Sequence, residues 1–252
     1  MQTKARQNEI LQQLAREGEL SITDLSALFS VSEMTIRRDL NQLAASGLVV
    51  RTHGGASRML SSSFEPLFEQ RARTNAEAKE RIAGAVAQQI KDGQTVILDG
   101  GSTGLAVARA LVGRRLTVCA LNLRVAQILS ENVATHVIVP GGVIRTHELS
   151  FVGSETERSL GQYNFDVYVM TASGLETAAG FTEWNAEDAA VKRAALASAR
   201  RTVAACDSSK FGQVAFAHIC HLKDVDTVVS DPALGTQQSR DITVSGSQLL
   251  IA

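Results

Sequence analysis

Between residues 31 and 43, Ile36, Leu40 and Leu43 return at the intervals of one helical face, while Met34, Thr35, Arg37, Arg38 and Asn41 fall on the others. That periodicity predicts a helix. Ser32 stands just before it with a hydroxyl suited to an orphan amide of the first turn. Glu33 follows where the positive end of the helix dipole favours a carboxylate. Upstream, Ile10, Leu11 and Leu14 predict a helix over residues 3–17 that ends near Gly18. Leu20-Ser21-Ile22 reads as a short extended piece. Leu25, Leu28 and Phe29 mark a second helix, capped by Thr23 or Asp24. Ser30-Val31-Ser32 is then a tight turn between two short helices, the arrangement of a helix-turn-helix. Gly47 suits a helix C-terminus. The run Leu48-Val49-Val50-Arg51-Thr52-His53-Gly54-Gly55 reads as a strand with a glycine-bearing tip, the wing of a winged helix. A flexible exit from the domain is the plainer reading of Gly54-Gly55.

The pattern changes after residue 57. Residues 58–75, with their serines and one proline, show no sustained period and read as a linker in which Phe64, Leu67 and Phe68 are available for packing. From residue 76 onward, short apolar runs alternate with helical segments. A helix is expected over Ala76–Ile90, then an apolar run Thr95–Asp99 and a helix through Leu111. Further runs follow at Leu116–Leu121, His136–Val139, Phe165–Met170, Thr202–Cys206 and Asp226–Val229, with Ile242-Thr243-Val244 as a last candidate strand. Such interleaving implies a mostly parallel sheet covered on both faces. The division is therefore 1–57, linker 58–75, and an α/β domain over 76–252.

Ligands of such sheets sit at the carboxyl ends of the strands. There the chain places Asp99, Gly100, Gly101, Ser102, Thr103 and Gly104. The glycines allow close backbone approach, Ser102 and Thr103 add hydroxyls, and the following helix offers free amides. This is a phosphate cradle by chemistry, although it has neither the Gly-Lys-Ser/Thr of a Walker loop nor a G-x-G-x-x-G. Other strand ends carry Asn122, Gly141-Gly142 with Arg145, Ser173-Gly174, and Asp207–Gly212 with Lys210. Each also has a reading as a turn or cap residue. Glu187 and Lys192 fall on a candidate helix over 185–200, where Lys192 is either part of this rim or a solvated charge.

Composition narrows the partners. The chain has 252 residues, 44% hydrophobic and 20% charged, ordinary globular values. Its net charge of −1 supplies no global field toward nucleic acid or a membrane. Residues 1–60 hold seven Lys/Arg against six acids, so DNA contact depends on placement rather than on the sum. No window reaches the roughly 20 apolar residues of a bilayer span, and no leader pattern opens the chain, so a cytoplasmic protein without a membrane partner is expected. Three cysteines without paired spacing argue against a disulfide framework, and Cys119 and Cys206 read as core residues. His218-Ile219-Cys220-His221 lacks a second ligand pair, so no metal site is assigned.

Taken together, Val31–Leu40, Arg51-Thr52-His53-Gly54-Gly55, Asp99-Gly100-Gly101-Ser102-Thr103, Pro140-Gly141-Gly142 and Asp207–Gly212 resemble the DeoR family of bacterial transcriptional repressors, in its sugar-metabolism branch. The resemblance covers nearly the whole chain. It implies an N-terminal winged helix and a C-terminal α/β domain similar to ribose-5-phosphate isomerases, glucosamine-phosphate deaminases and CoA transferases. It also implies a homodimer or homotetramer on operator DNA and a phosphorylated sugar or related metabolite as effector; no cofactor is expected. Ser32, Met34, Thr35, Arg37, Arg38, Asn41, Arg51, Thr52 and His53 would then face DNA. Asp99, Gly100, Gly101, Ser102 and Thr103 would hold the effector's phosphate, with Arg145 and Lys210 supplying charge and Asn122, Gly142, Gly174 and Lys192 completing the pocket. The competing expectation is a sugar-phosphate isomerase or deaminase with an appended DNA-binding domain. It would need Asp99 or Glu187 as its general base.

Overall fold

A computed structural model describes residues 3–45, 49–58, 62–63, 65–131 and 133–252. Gly47, Leu48 and Phe64 lie outside the described residues. The chain divides into two units, Met1–Pro66 and Leu67–Ala252.

The first unit runs α1 (Thr3–Glu17), β1 (Glu19–Ser21), α2 (Ile22–Phe29), α3 (Glu33–Ala45), β2 (Val49–Arg51) and β3 (Gly55–Arg58). Ile10, Leu14, Leu25, Ile36, Leu40 and Leu43 are buried in one core. The cap of α2 is Ser21, two or three residues earlier than the sequence suggested. Its hydroxyl accepts the Asp24 amide at 3.0 Å, leaving Thr23 and Asp24 inside the helix. Ser30 ends α2 in the left-handed region, φ 51°, which turns the chain sharply into α3. β3 pairs with both β1 and β2, so Gly54-Gly55 belongs to a three-stranded wing rather than to a flexible exit. Gly55 is required there, because a Cβ would stand 1.9 Å from the Leu20 carbonyl oxygen. Leu40 is fully buried. Leu40→Ala should cost this small unit about 2–5 kcal/mol, enough to leave it largely unfolded in a urea titration of the intact chain.

The second unit opens with α4 (Phe68–Arg73), α5 (Ala76–Gln88), β4 (Thr95–Leu98), α6 (Gly101–Ala110), β5 (Thr117–Ala120), α7 (Leu123–Ser130) and β6 (His136–Ile138). A small hairpin, β7 (Val143–Ile144) and β8 (Phe151–Val152), leads to α8 (Ser154–Leu160), β9 (Val167–Met170), β10 (Gly174–Glu176), β11 (Gly180–Glu183) and α9 (Ala186–Ala197). The chain closes with β12 (Thr202–Ala205), β13 (Ala217–Cys220), β14 (Thr227–Ser230), α10 (Thr236–Val244) and β15 (Gln248–Ile251). Seven strands form a parallel sheet in the order β15-β14-β12-β9-β4-β5-β6.

Alternation along each strand builds two cores. Val96, Leu98, Val118 and Val169 face α5, α6 and α7, whereas Ile97, Cys119, Tyr168 and Met170 face the layer holding α9 and a three-stranded antiparallel sheet of β10, β11 and β13. All three cysteines are buried and unpaired, and burial pushes their thiols up to about 12. They are core residues without thiolate reactivity at neutral pH.

Two segments differ from the sequence reading. Ile242-Thr243-Val244 is the end of helix α10, and the last strand is Gln248–Ile251; burying Ile242 alone satisfies a helix as well as a strand. The stretch read as a linker contains α4. Its Arg71 and Phe68 contact residues of the α/β unit, so that unit starts at Leu67 rather than near residue 76.

Candidate functional site

In the first unit, α3 buries Ile36 and Leu40 and leaves Met34, Arg37, Arg38 and Asn41 exposed. Met34, Arg37, Arg38, Asn41 and Gln42 line one shallow concavity of about 420 Å³. Arg37 is half-exposed and pairs with Glu33 at 3.3 Å, a surface contact that a phosphate can displace at little cost. Ser32 and Thr35 are capping residues: the Ser32 hydroxyl accepts the Thr35 amide and shares a 2.9 Å hydrogen bond with its hydroxyl. On the opposite side, Arg6 and Asp39 form a buried pair at 2.6 Å that ties α1 to α3 and holds the exposed face in place. In the wing, His53 is exposed at the tip. Arg51 is not at the tip but in β2, partly buried opposite Ala56, and Thr52 is partly buried beside it.

In the second unit, β4 leads to β5 and β6 on one side, while β9, β12, β14 and β15 build out on the other. The strand order reverses between β4 and β9, which opens a crevice beyond their carboxyl ends. Asp99 lies there, buried. Its carboxylate accepts from Lys192 at 2.6 Å, from the Thr171 amide at 2.9 Å and hydroxyl at 3.1 Å, and from the Gly100 amide at 2.7 Å. Lys192 also meets Glu183 at 3.0 Å and donates to the Thr171 carbonyl at 2.9 Å. Burial alone would lower the Lys192 pKa, but the Asp99 and Glu183 carboxylates reverse this and hold it above its ordinary value. Burial likewise disfavours the Glu183 anion, and Lys192, Ser173 and the Trp184 amide together hold its pKa below the usual range. Lys192 is therefore a buried strut, not a solvated charge. The carboxylate that joins it is Glu183, whereas Glu187 is exposed in the first turn of α9.

This arrangement changes the role of Asp99. A buried carboxylate repels a phosphate, and its donors are already used. It fixes the loop at Gly100 and Gly101, where α6 begins. A Cβ on Gly100 would stand 2.9 Å from Asn122 Nδ2, and Gly101 sits at φ 73°. Thr103 is buried, while Ser102 is partly exposed at the first turn of α6. Asn122 caps α7 through the Arg124 amide and donates to the Glu148 carbonyl, so it positions backbone. Gly142 and Gly174 answer to packing: added Cβ atoms would meet Thr156 Oγ1 at 2.1 Å and the Gln213 carbonyl oxygen at 2.4 Å.

The cations gather around the only tryptophan. The Lys210 ammonium lies 5.0 Å and the Arg71 guanidinium 5.3 Å from the Trp184 ring centroid. Arg71 Nη1 is also 3.6 Å from the position a Cβ on Gly101 would occupy. Burial lowers the Lys210 pKa, and Asp207 opposes that only in part. Lys79 donates to the carbonyls of Arg71 and Thr74, and its pKa falls to about 8, chiefly by burial. Arg145 turns instead to Asp188 at 2.7 Å. Sequence reasoning passed over Arg71, Glu148, Glu183 and Trp184. A carboxylate inside the apolar run Gly180-Phe181-Thr182-Glu183 was the available signal for one of them.

Burial raises the Asp188 pKa to about 6 despite the nearby Arg145. The folded state thus prefers the protonated carboxyl, and its contribution to stability is lost as pH rises from about 4 through 6. Asp188→Asn should gain on the wild type by on the order of 2–3 kcal/mol between pH 4 and pH 7. Paired urea titrations at the two pH values measure the difference, and a constant gap would remove Asp188 from the account.

An exposed basic helix-turn-helix face on one unit and, on the other, a glycine loop with Arg71 close to Gly101 fit a two-part, ligand-responsive transcription regulator. Comparison with known proteins agrees. Residues 6–62 match the DeoR-like helix-turn-helix domain and residues 74–232 the DeoR C terminal sensor domain, and the chain belongs to the DeoR family. It is 35% identical over 232 residues to the glycerol-3-phosphate regulon repressor of Escherichia coli, covering 92% of each chain. It is 34% identical over 227 residues to the HTH-type transcriptional repressor CsqR of the same organism, covering 90% of this chain and 87% of the relative. These relatives are named as transcriptional repressors, not enzymes. Ribose 5-phosphate isomerase A from Methanocaldococcus jannaschii aligns at 16% identity over 56% of each chain, with a TM-score of 0.40. No described helix is long and apolar enough to cross a membrane.

Proposed function

We propose that this protein is a cytoplasmic repressor of a carbohydrate-metabolism operon that leaves its operator when a phosphorylated sugar binds the second unit. The first unit reads DNA through α3. Arg37 and Arg38 reach base edges or phosphates, Met34 and Asn41 border them, and His53 in the wing meets the backbone. Ser32 and Thr35 set the start of the helix, while Arg51 and Thr52 hold the wing.

The observation that carries the effector reading is the loop at Gly100 and Gly101, which opens α6 next to Arg71, with Arg71 and Lys210 both within 5.3 Å of the Trp184 ring centroid. Free amides at a helix start and two cations suit a phosphate. Ser102 adds a hydroxyl. Asp99, Lys192 and Glu183 form the floor that keeps the loop in shape, with Thr103 and Asn122 packed beside it. Arg145 supports the hairpin edge near Gly142, and Gly174 lets β10 approach closely. Gene regulation by two operator half-sites suits a homodimer or homotetramer. The names of the relatives support a repressor over a sugar-phosphate enzyme. The buried pairing of Asp99 with Lys192 supports it too, since that carboxylate lacks the access a general base needs.

A thermal-shift panel of sugar phosphates, each beside its unphosphorylated sugar, tests this reading. Stabilisation by at least one phosphorylated member and by none of the plain sugars is expected. A response to plain sugars alone would refute the phosphate site.

A further inference from the structure

Arg71 comes from the segment whose pattern resembled a connector, yet its guanidinium stands between the Glu148 carboxylate and the start of α6. On one side it donates to the carboxylate of the buried Glu148, its own side chain being mostly covered. On the other, Nη1 faces the start of α6, 3.6 Å from where a Cβ on Gly101 would sit. Trp184 and Phe68 flank it at 5.3 and 5.9 Å. Glu148 itself rests in an unusual turn. His147 and Leu149, the residues on either side, both adopt the left-handed region, φ 67° and 63°, without being glycine. Such backbone persists only where its surroundings hold it. Here Arg124 donates to the His147 and Glu148 carbonyls, Asn122 to the Glu148 carbonyl, and Arg71 holds the carboxylate.

We propose that Arg71 is an effector-contact residue that exchanges anions: Glu148 is its resident partner, and the effector's phosphate takes it over. This inference rests on the effector reading above. A phosphate dianion lying against the amides of α6 offers a guanidinium more charge than one carboxylate, in a geometry that its planar fork matches. Once Arg71 turns to the ligand, the turn around Glu148 loses its Arg71 contact and loosens. α4 carries Arg71 and is the first helix after the chain leaves the DNA-binding unit. The exchange therefore moves the point at which that unit is tethered, which gives the ligand a differential contact between two states.

Hydrogen exchange on the full chain, with inorganic phosphate, glycerol 3-phosphate, ribose 5-phosphate and fructose 6-phosphate as probes, tests the exchange. With the probe that binds, amides in 68–73 and 145–150 should exchange at least threefold faster, although the ligand stabilises the unit as a whole. Glu148→Gln should show that faster exchange without ligand and bind the same probe at least fivefold more tightly. A merely structural Glu148 would leave affinity unchanged or weaken it. Arg71→Lys keeps the charge but not the fork, and should bind at least tenfold more weakly. If the wild type binds a probe while both segments stay as slow as before, or if Glu148→Gln binds no more tightly, the exchange is wrong and the effector reading stands. If no probe binds the wild type, both fall.

Discussion

Lys192→Met is expected to destabilise the sensor unit by about 3–5 kcal/mol, because it leaves Asp99 and Glu183 buried without their shared cation. Methionine matches the length of the lysine stem, so little of the loss comes from packing. Urea titration of the intact chain should show the second unit unfolding at lower denaturant while the first keeps its midpoint. Ligand response should fail even under conditions where the variant remains folded, because Asp99 no longer fixes Gly100 and Gly101 at the start of α6. A variant of near wild-type stability would mean that the two carboxylates tolerate protonation and that Lys192 is not the strut described here.

The second large effect belongs to α3. Arg37 and Arg38 are exposed on the face opposite the buried Ile36 and Leu40, so replacing both by alanine should leave folding intact. Each arginine that meets a base edge contributes about 1–3 kcal/mol. Operator affinity should therefore fall at least tenfold at fixed salt. If one of them meets a phosphate instead, the slope of log affinity against log salt should flatten by about 0.9 for each lost contact. Fluorescence anisotropy at three salt concentrations separates the two roles. Unchanged affinity and slope would move the DNA surface elsewhere.

Much of this architecture was legible in the sequence because it rests on periodicity. Ile36, Leu40 and Leu43 are spaced for one face, and the apolar runs Thr95–Asp99, Leu116–Leu121 and Phe165–Met170 contain strands buried on both sides. The loop at Gly100 and Gly101 was legible for the same reason, since a glycine pair after a buried strand marks a backbone that something must approach. What the pattern hid was partnership. Nothing in the order of residues says that Lys192 reaches Asp99 across 93 positions, or that Arg71 meets Glu148 across 77. Arg71 was concealed twice over, because α4 is only six residues long and buries none of them, so its helix leaves no apolar stripe. Asp99 was read as a phosphate ligand together with its glycine and hydroxyl neighbours; only the groups that donate to it reveal a support for the loop. The strand assigned to Ile242-Thr243-Val244 failed on β-branched composition, which Asp241 and Ser245 on either side did not favour.

In the function proposed here, one chain reads DNA at α3 and is released through the rim of a parallel sheet. The most direct measurement follows a labelled duplex from the promoter region beside its gene, bound by the intact protein, as the sugar phosphate chosen by thermal shift is added. Operator affinity should fall at least tenfold, a coupling of about 1.4 kcal/mol, and Lys192→Met protein that still binds the duplex should not respond. Release that occurs equally with the plain sugar, or no release at saturating sugar phosphate, would contradict it.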